Sequence, residues 1–172
     1  MADKPYQVLF LCTGNASRSI MAEAIMNADP RRRFTAYSAG SQPRGEVDRD
    51  TIQFLETNSF PTGGLRSKGW EEFAGADAPA LDFVFTVCDR AAKESCPVWP
   101  GQPMSAHWGV PDPLAFEGTA AEKGAFLADV FRMLNNRISI FTELPIASLD
   151  RLTLQRRLDA IGQDADAPGE TA

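Results

Sequence analysis

The stretch Pro5-Tyr6-Gln7-Val8-Leu9-Phe10-Leu11-Cys12-Thr13-Gly14-Asn15-Ala16-Ser17-Arg18-Ser19 decides how the whole chain is read. Residues 5–11 are a compact apolar run with the length and aromatic character of a buried strand. After Ser19 the period changes: Ile20, Met21, Ala24, Ile25 and Ala28 fall on one helical face, and Asp29-Pro30 stops the pattern. The local order is therefore strand, glycine-bearing loop, helix.

Working outward, the same order recurs. Residues 34–38 read as a second strand ending in Ala39-Gly40, followed by a helix over residues 48–57 with Ile52 and Leu55 inward. A turn-rich stretch, Pro61-Thr62-Gly63-Gly64, leads to a short segment with Trp70 and Phe73. Residues 82–87 form a third strand that delivers Cys88 at its carboxyl end. Residues 104–108 form a shorter fourth, followed by Gly109-Val110-Pro111-Asp112-Pro113, whose prolines enforce an irregular loop.

Thr119 and Glu122 have the spacing of a capping box, ahead of an apolar face made by Phe126, Leu127, Val130, Phe131, Leu134 and Ile138 that runs to about Phe141. Ser148 is placed to cap a last helix presenting Leu149, Leu152, Leu158 and Ile161, which Gly162 would end. Strands alternating with helices predict a three-layer α/β fold, a central, mainly parallel four-stranded sheet with helices on both faces. Residues 1–162 are expected to form a single catalytic domain, with residues 163–172 a flexible tail. Ligands of such sheets sit beyond the carboxyl ends of the strands, where Cys12, Cys88 and the Asp112 loop would meet.

The loop after the first strand follows the pattern C-x5-R-S. Five residues, Thr13, Gly14, Asn15, Ala16 and Ser17, can curl so that successive amides aim at one centre, at the positive end of the following helix. Gly14 and Asn15 are the types best able to take positive φ, and Arg18 can close the ring with a bidentate fork around a tetrahedral oxyanion. The same field favours the thiolate of Cys12, and the hydroxyls of Ser17 and Ser19 are close enough in sequence to donate to its sulfur. A thiolate beside a bound oxyanion is set up for nucleophilic attack.

Composition narrows the rest. In 172 residues, 44% hydrophobic and 9% aromatic content suffices for one ordinary core. A net charge of −6 and a pI near 4.8 leave no basic field for nucleic acid, and the triplet Arg31-Arg32-Arg33 reads as a solvated turn. No apolar run is long enough for a membrane span and the N-terminus lacks the blocks of a secretory signal, so a cytoplasmic protein is expected. Three cysteines, Cys12 and the C-x7-C pair Cys88 and Cys96, point in a cytosolic chain to redox or metal chemistry rather than a disulfide framework. With one histidine, His107, a zinc site lacks ligands; neither metal nor cofactor is expected. His107 reads as a structural hydrogen-bonding residue near the Asp112 loop, and Trp70, Trp99 and Trp108 as packing residues.

The loop C-T-G-N-A-S-R-S, with Asp112-Pro113 downstream, resembles the low-molecular-weight protein tyrosine phosphatases over residues 8–141. The resemblance implies Cys12 as nucleophile, Arg18 as oxyanion ligand and Asp112 as general acid. Val84-Phe85-Thr86-Val87-Cys88, then Cys96-Pro97-Val98 and His107-Trp108-Gly109, resembles the arsenate reductases that share this fold. Ser17 stands where the phosphatases commonly carry a second cysteine, and Leu114 where an aromatic often follows the Asp-Pro pair.

As the resemblance implies, Cys12 attacks arsenic, Asp112 protonates the departing oxygen, Cys88 attacks the Cys12 sulfur, and Cys96 takes over the disulfide. An external reductant, thioredoxin or glutaredoxin with glutathione, then regenerates the thiols. Phosphate or sulfate would mimic arsenate in the loop. Some thiol-coupled relatives hold potassium with an aspartate near Ser67; Lys68 is the neighbour here, so no potassium site is expected. Residues 89–94 read as a short helix, and ends eight residues apart on a regular helix lie ~12 Å apart, whereas a disulfide needs Cα atoms within ~7 Å. A Cys88–Cys96 bond therefore requires this segment to unwind. Two other readings remain open: a phosphatase for phosphotyrosine or small phosphate esters, and a non-catalytic oxyanion-binding or redox-sensing module.

Overall fold

The computed structural model describes residues 4–94 and 97–163. The expectations for Cys96 and for the tail beyond residue 163 lie outside the described residues.

Four strands, β1 (Tyr6–Cys12), β2 (Phe34–Gly40), β3 (Phe83–Thr86) and β4 (Met104–His107), form one sheet in the order β2-β1-β3-β4, with every pairing parallel. The chain steps from β1 to one side and from β3 to the other, so the order reverses between these two strands. A parallel sheet opens a crevice at such a switch point, beyond the carboxyl ends. Leu11 pairs with Thr86; the residues leaving β1 and β3, Cys12 and Cys88, thus emerge side by side.

Alternation along the strands builds two apolar faces. Val8, Phe10, Phe34, Ala36, Phe83 and Phe85 face the helices α1 (Arg18–Asn27), α4 (Ala120–Thr142) and α5 (Arg151–Gly162) in the main core. Leu9, Leu11, Ala39 and Val84 face the other way, onto Phe73, Leu81, Tyr37, Trp70 and Trp99. The covering on this second side comes from a 3-10 helix, Trp70–Phe73. Helix α2 (Arg49–Thr57) touches α1 and α4, and the four-residue α3 (Asp89–Ala92) touches β1 and β3. No described helix is long and apolar enough to cross a membrane.

At the start of α4, the Thr119 hydroxyl accepts from the Glu122 amide while the Glu122 carboxylate accepts from the Thr119 amide, so two otherwise unpaired donors are satisfied together. The last helix departs from its sequence reading. Asp150, not Ser148, caps α5 by accepting from the Thr153 amide at 2.7 Å, and Ser148 ends a 3-10 turn instead. Leu154, Leu158 and Ile161, spaced by four and three, form the buried face, while Leu152, about 200° from Leu154 around the helix, is exposed. Gly162 is the last residue of α5, where the sequence reading ended the helix; an added Cβ there would come 2.1 Å from the His107 carbonyl oxygen, so its lack of a side chain lets α5 close on the end of β4.

Candidate active site

The floor of the site is the loop between β1 and α1. Its carbonyls are taken up from outside: Thr13 by the Gln42 amide (2.9 Å), Gly14 by the Arg44 amide (3.0 Å) and Ala16 by the Asp48 amide (3.0 Å). A trans peptide is planar, so a carbonyl turned outward turns the next residue's N–H inward. Gly14, Asn15 and Ser17 therefore direct their amides to the centre of the loop, and the Asn15 amide donates to Cys12 Sγ at 3.2 Å. Arg18 begins α1, and the first turn of that helix adds its own partial positive charge.

Of the two residues expected at positive φ, only Asn15 adopts it, at 45°. Gly14 does not; its bare Cα instead faces the Arg44 side chain, whose Cγ would lie 3.5 Å from an added Cβ. The close approach that demands glycine is at Gly40, where a Cβ would lie 2.4 Å from the Thr13 carbonyl oxygen. The end of β2 thus presses directly against the anion loop.

Cys12 is buried, and its Sγ lies 3.0 Å from Ser19 Oγ. Asn15 Oδ1 accepts from the Lys68 amide at 2.8 Å, which fixes the side-chain amide so that Nδ2 donates to Ser19 Oγ (2.8 Å) and Ser38 Oγ (3.0 Å). Ser19 Oγ, accepting from Asn15 Nδ2, is so placed that its own proton can be given to a Cys12 thiolate. Ser17 makes a different contact: its hydroxyl is held by Thr51 Oγ1 at 2.7 Å, joining the loop to α2.

Behind Asn15, Ser38 donates to Glu23 Oε1 at 2.6 Å, and the Lys68 ammonium donates to the Arg66 carbonyl at 2.8 Å with Glu23 at 3.8 Å. Burial pushes the Glu23 carboxyl up, opposed by its Ser38 hydrogen bond and by Lys68, and burial pushes the Lys68 ammonium down. A lysine thus supplies the positive charge within a set of oxygens. No local pattern announces this network, because Ser38 and Lys68 are 23 and 53 residues from Asn15 in sequence.

Lys68→Met should lower stability by about 1–3 kcal/mol. Without the ammonium, the carboxyl of Glu23 is raised further, so the folded state keeps its proton to higher pH than the unfolded state does. Stability falls with pH across such a window. Urea unfolding of both proteins should show the deficit of the variant widening as pH rises from the ordinary glutamate range towards neutrality.

Cys88 is buried beside the loop, with its sulfur 3.7 Å from Thr13 Oγ1. It is also the N-cap of α3, accepting from the Ala91 amide at 3.3 Å. His107 joins β3 and this helix, with Nδ1 2.8 Å from Thr86 Oγ1 and Nε2 2.7 Å from Asp89 Oδ1, and its ring abuts Gly109 at the start of the Asp112 loop. Asp112 faces the loop from the other side. Its Oδ1 accepts from the Leu114 amide at 2.9 Å and its Oδ2 lies 3.5 Å from the Arg18 guanidinium, which also donates to the Val110 carbonyl at 3.1 Å. Cys12, the loop, Arg18 and Asp112 line one cavity of about 280 Å³, rimmed by Gln42, Arg44, Arg90 and Leu114. The sequence reading did not include Arg44 or Arg90, since an exposed arginine outside a recognised motif carries no local signal.

Comparison with known proteins places this geometry. A family model described as low molecular weight phosphotyrosine protein phosphatase matches residues 7–152. An arsenate reductase of Bacillus subtilis is 32% identical over 136 residues, 79% of this chain and 94% of the relative. An arsenate reductase structure from Archaeoglobus fulgidus superposes with a TM-score of 0.57 at 26% identity, over 77% of this chain and 98% of that one. A thioredoxin-dependent arsenate reductase of Corynebacterium glutamicum has the same fold, with a TM-score of 0.57 at 22% identity, over 81% of this chain and 61% of that one.

Proposed function

The chain belongs to the low molecular weight phosphotyrosine protein phosphatase family, and we propose that within it the protein is an arsenate reductase that converts arsenate to arsenite. The observation that carries this reading is the second sulfur. Cys88 stands beside the anion loop at the sheet's switch point, next to Thr13, where hydrolysis of a phosphate ester has no use for it. The similarity to named arsenate reductases supports the same reading.

Arsenate occupies the ring of inward amides with Arg18 as its fork. Cys12 Sγ attacks arsenic, and Asp112 gives a proton to the departing oxygen, which leaves as water. Cys88 Sγ then attacks Cys12 Sγ. The sulfur–arsenic bond breaks with its electron pair remaining on arsenic, so arsenic(V) becomes arsenic(III) as two thiols become the Cys12–Cys88 disulfide. Cys96 attacks Cys88, frees Cys12 and leaves a Cys88–Cys96 disulfide for an external dithiol. Thioredoxin is the proposed donor, glutaredoxin with glutathione the alternative, in the reducing setting of a cytoplasm.

The decisive experiment measures arsenite formed from arsenate by the purified chain, with thioredoxin and its reductase in one arm and glutathione with glutaredoxin in the other. Sustained arsenite release in the thioredoxin arm is the expected result. Release in neither arm, together with rapid hydrolysis of an aryl phosphate, would return the chain to the phosphatase reading. One equivalent of oxidation without continuing turnover would make it a redox sensor.

A further inference from the structure

The site holds more positive charge than the anion loop accounts for. Arg44 and Arg90 rim the same cavity as Arg18, and the carboxylate lining it, Asp112, is already beside Arg18 at 3.5 Å. Neither the Arg44 nor the Arg90 guanidinium has an ion pair or hydrogen bond among the described residues, unlike Arg18, Arg31 and Arg66, which face carboxylates. The two sit on elements of different character. Arg44 is anchored to a fixed wall: its amide donates to the Gly14 carbonyl and its stem lies against Gly14, while the next residue, Gly45, donates to Ser67. Arg90 is the second residue of α3, the four-residue helix that follows Cys88 and belongs to the segment expected to rearrange when that sulfur pairs with Cys96.

We propose that Arg44 and Arg90 form an outer clamp for the charged oxyanion, and that Arg90 couples occupancy of the anion site to the folding of α3. This rests on the arsenate reductase reading for its biological meaning. Arsenate is an anion at neutral pH, whereas arsenite is the uncharged trihydroxide. The clamp therefore attracts substrate and has no hold on product. While an oxyanion is bound, Arg90 ties α3 across the cavity to the Arg44 wall; once arsenic is reduced, the released arsenite takes up protons from water to become the neutral trihydroxide, and that tie is released. The order of events follows: α3 opens towards Cys96 after the charge has left, and the Cys12 adduct is kept away from outside thiols until then. The Asp89–His107 bond is solvent-exposed, and exposed pairs contribute little; α3 is also held by the Cys88 cap, by the buried Ala91 and by a Ser41–Glu94 hydrogen bond of 2.6 Å.

Inorganic phosphate, which cannot be reduced, is the probe. Binding to the reduced full chain is measured by calorimetry at two salt concentrations, and hydrogen exchange of residues 89–94 is followed with and without saturating phosphate. In the wild type, phosphate should slow exchange in this segment. Arg90→Ala should weaken phosphate binding by roughly three- to tenfold, flatten its salt dependence and abolish the slowing even at saturation. Arg44→Ala should weaken binding similarly while retaining part of the slowing, and Arg90→Lys should recover most of the affinity lost by alanine because it restores the charge. Unchanged phosphate affinity in both alanine variants, or no slowing in the saturated wild type, would overturn the clamp. Neither readout depends on turnover. A working clamp in a chain that makes no arsenite would sink the reductase assignment alone, and arsenite production with unchanged phosphate affinity would sink the clamp alone.

Discussion

Cys88→Ser should abolish sustained arsenite release, lowering it by about 1000-fold or more, while hydrolysis of an aryl phosphate stays within about threefold of wild type. The two reactions share their first step, attack by Cys12 on a tetrahedral centre held by the loop amides and Arg18. They separate at the second. A phosphoryl–cysteine intermediate is resolved by water at phosphorus, with no change of oxidation state, so it needs only Asp112 and a free path for water. Release of arsenite needs a sulfur that takes the place of arsenic on Cys12, and the proposed residue is Cys88, whose sulfur lies 3.7 Å from Thr13 Oγ1. Serine cannot form that bond.

The substitution is structurally mild. Cys88 caps α3 by accepting from the Ala91 amide, and serine is a better N-cap than cysteine, so the helix should be kept. Arsenite quantified over many turnovers, beside aryl phosphate hydrolysis on the same preparation, reads the result. Continued arsenite release by the variant would show that an outside thiol resolves the Cys12 adduct and that Cys88 is a packing residue. Cys12→Ser, by contrast, should lose both reactions.

Much of this site was legible because its information is local. A strand, a C-x5-R loop and a helix occupy residues 6–27 without interruption, so the loop was visible in the pattern, although the Gln42, Arg44 and Asp48 amides that turn its carbonyls outward were not. The parallel strand order was legible in kind, since alternating strands and helices leave few other arrangements. What escaped were features defined by tertiary approach. Ser17 was read as a neighbour of the sulfur from its position in sequence, yet Thr51 claims its hydroxyl from α2. Gly14 was read as one of two residues able to take positive φ, while the position where glycine is sterically required is Gly40, at the end of another strand. The start of α5 went to Asp150 over Ser148: two good caps lay two residues apart, and packing on β4 chose between them.

Trp108→Ala should be the most damaging core substitution, and its effect should extend to the catalytic loop. The indole is fully buried, stacked on Phe85 at 3.7 Å between centroids and 12° between planes, and in contact with Phe10 and Phe141. Its Nε1 donates to the Leu158 carbonyl at 3.0 Å, fastening α5 to the end of β4. Removing so large a buried ring typically costs about 3–5 kcal/mol, which for a domain of this length lowers the melting temperature by roughly 10 °C.

Trp108 is also the rigid root of the segment Gly109-Val110-Pro111-Asp112, whose Val110 amide bonds to Val87 and whose Val110 carbonyl receives Arg18. Loosening that root frees the arginine fork and the acid together. At a temperature where the variant is still folded, its affinity for phosphate should therefore fall as well as its turnover, whereas Trp108→Phe, which keeps a ring against Phe85 but loses the Nε1 donor, should cost about 1–2 kcal/mol and leave phosphate affinity nearly intact. Calorimetric melting and phosphate titration of the two variants separate the ring's packing from its hydrogen bond. If Trp108→Ala loses stability with phosphate affinity unchanged, the core and the acid loop are mechanically independent, and Asp112 must be held by its Arg18 contact and the Leu114 amide alone.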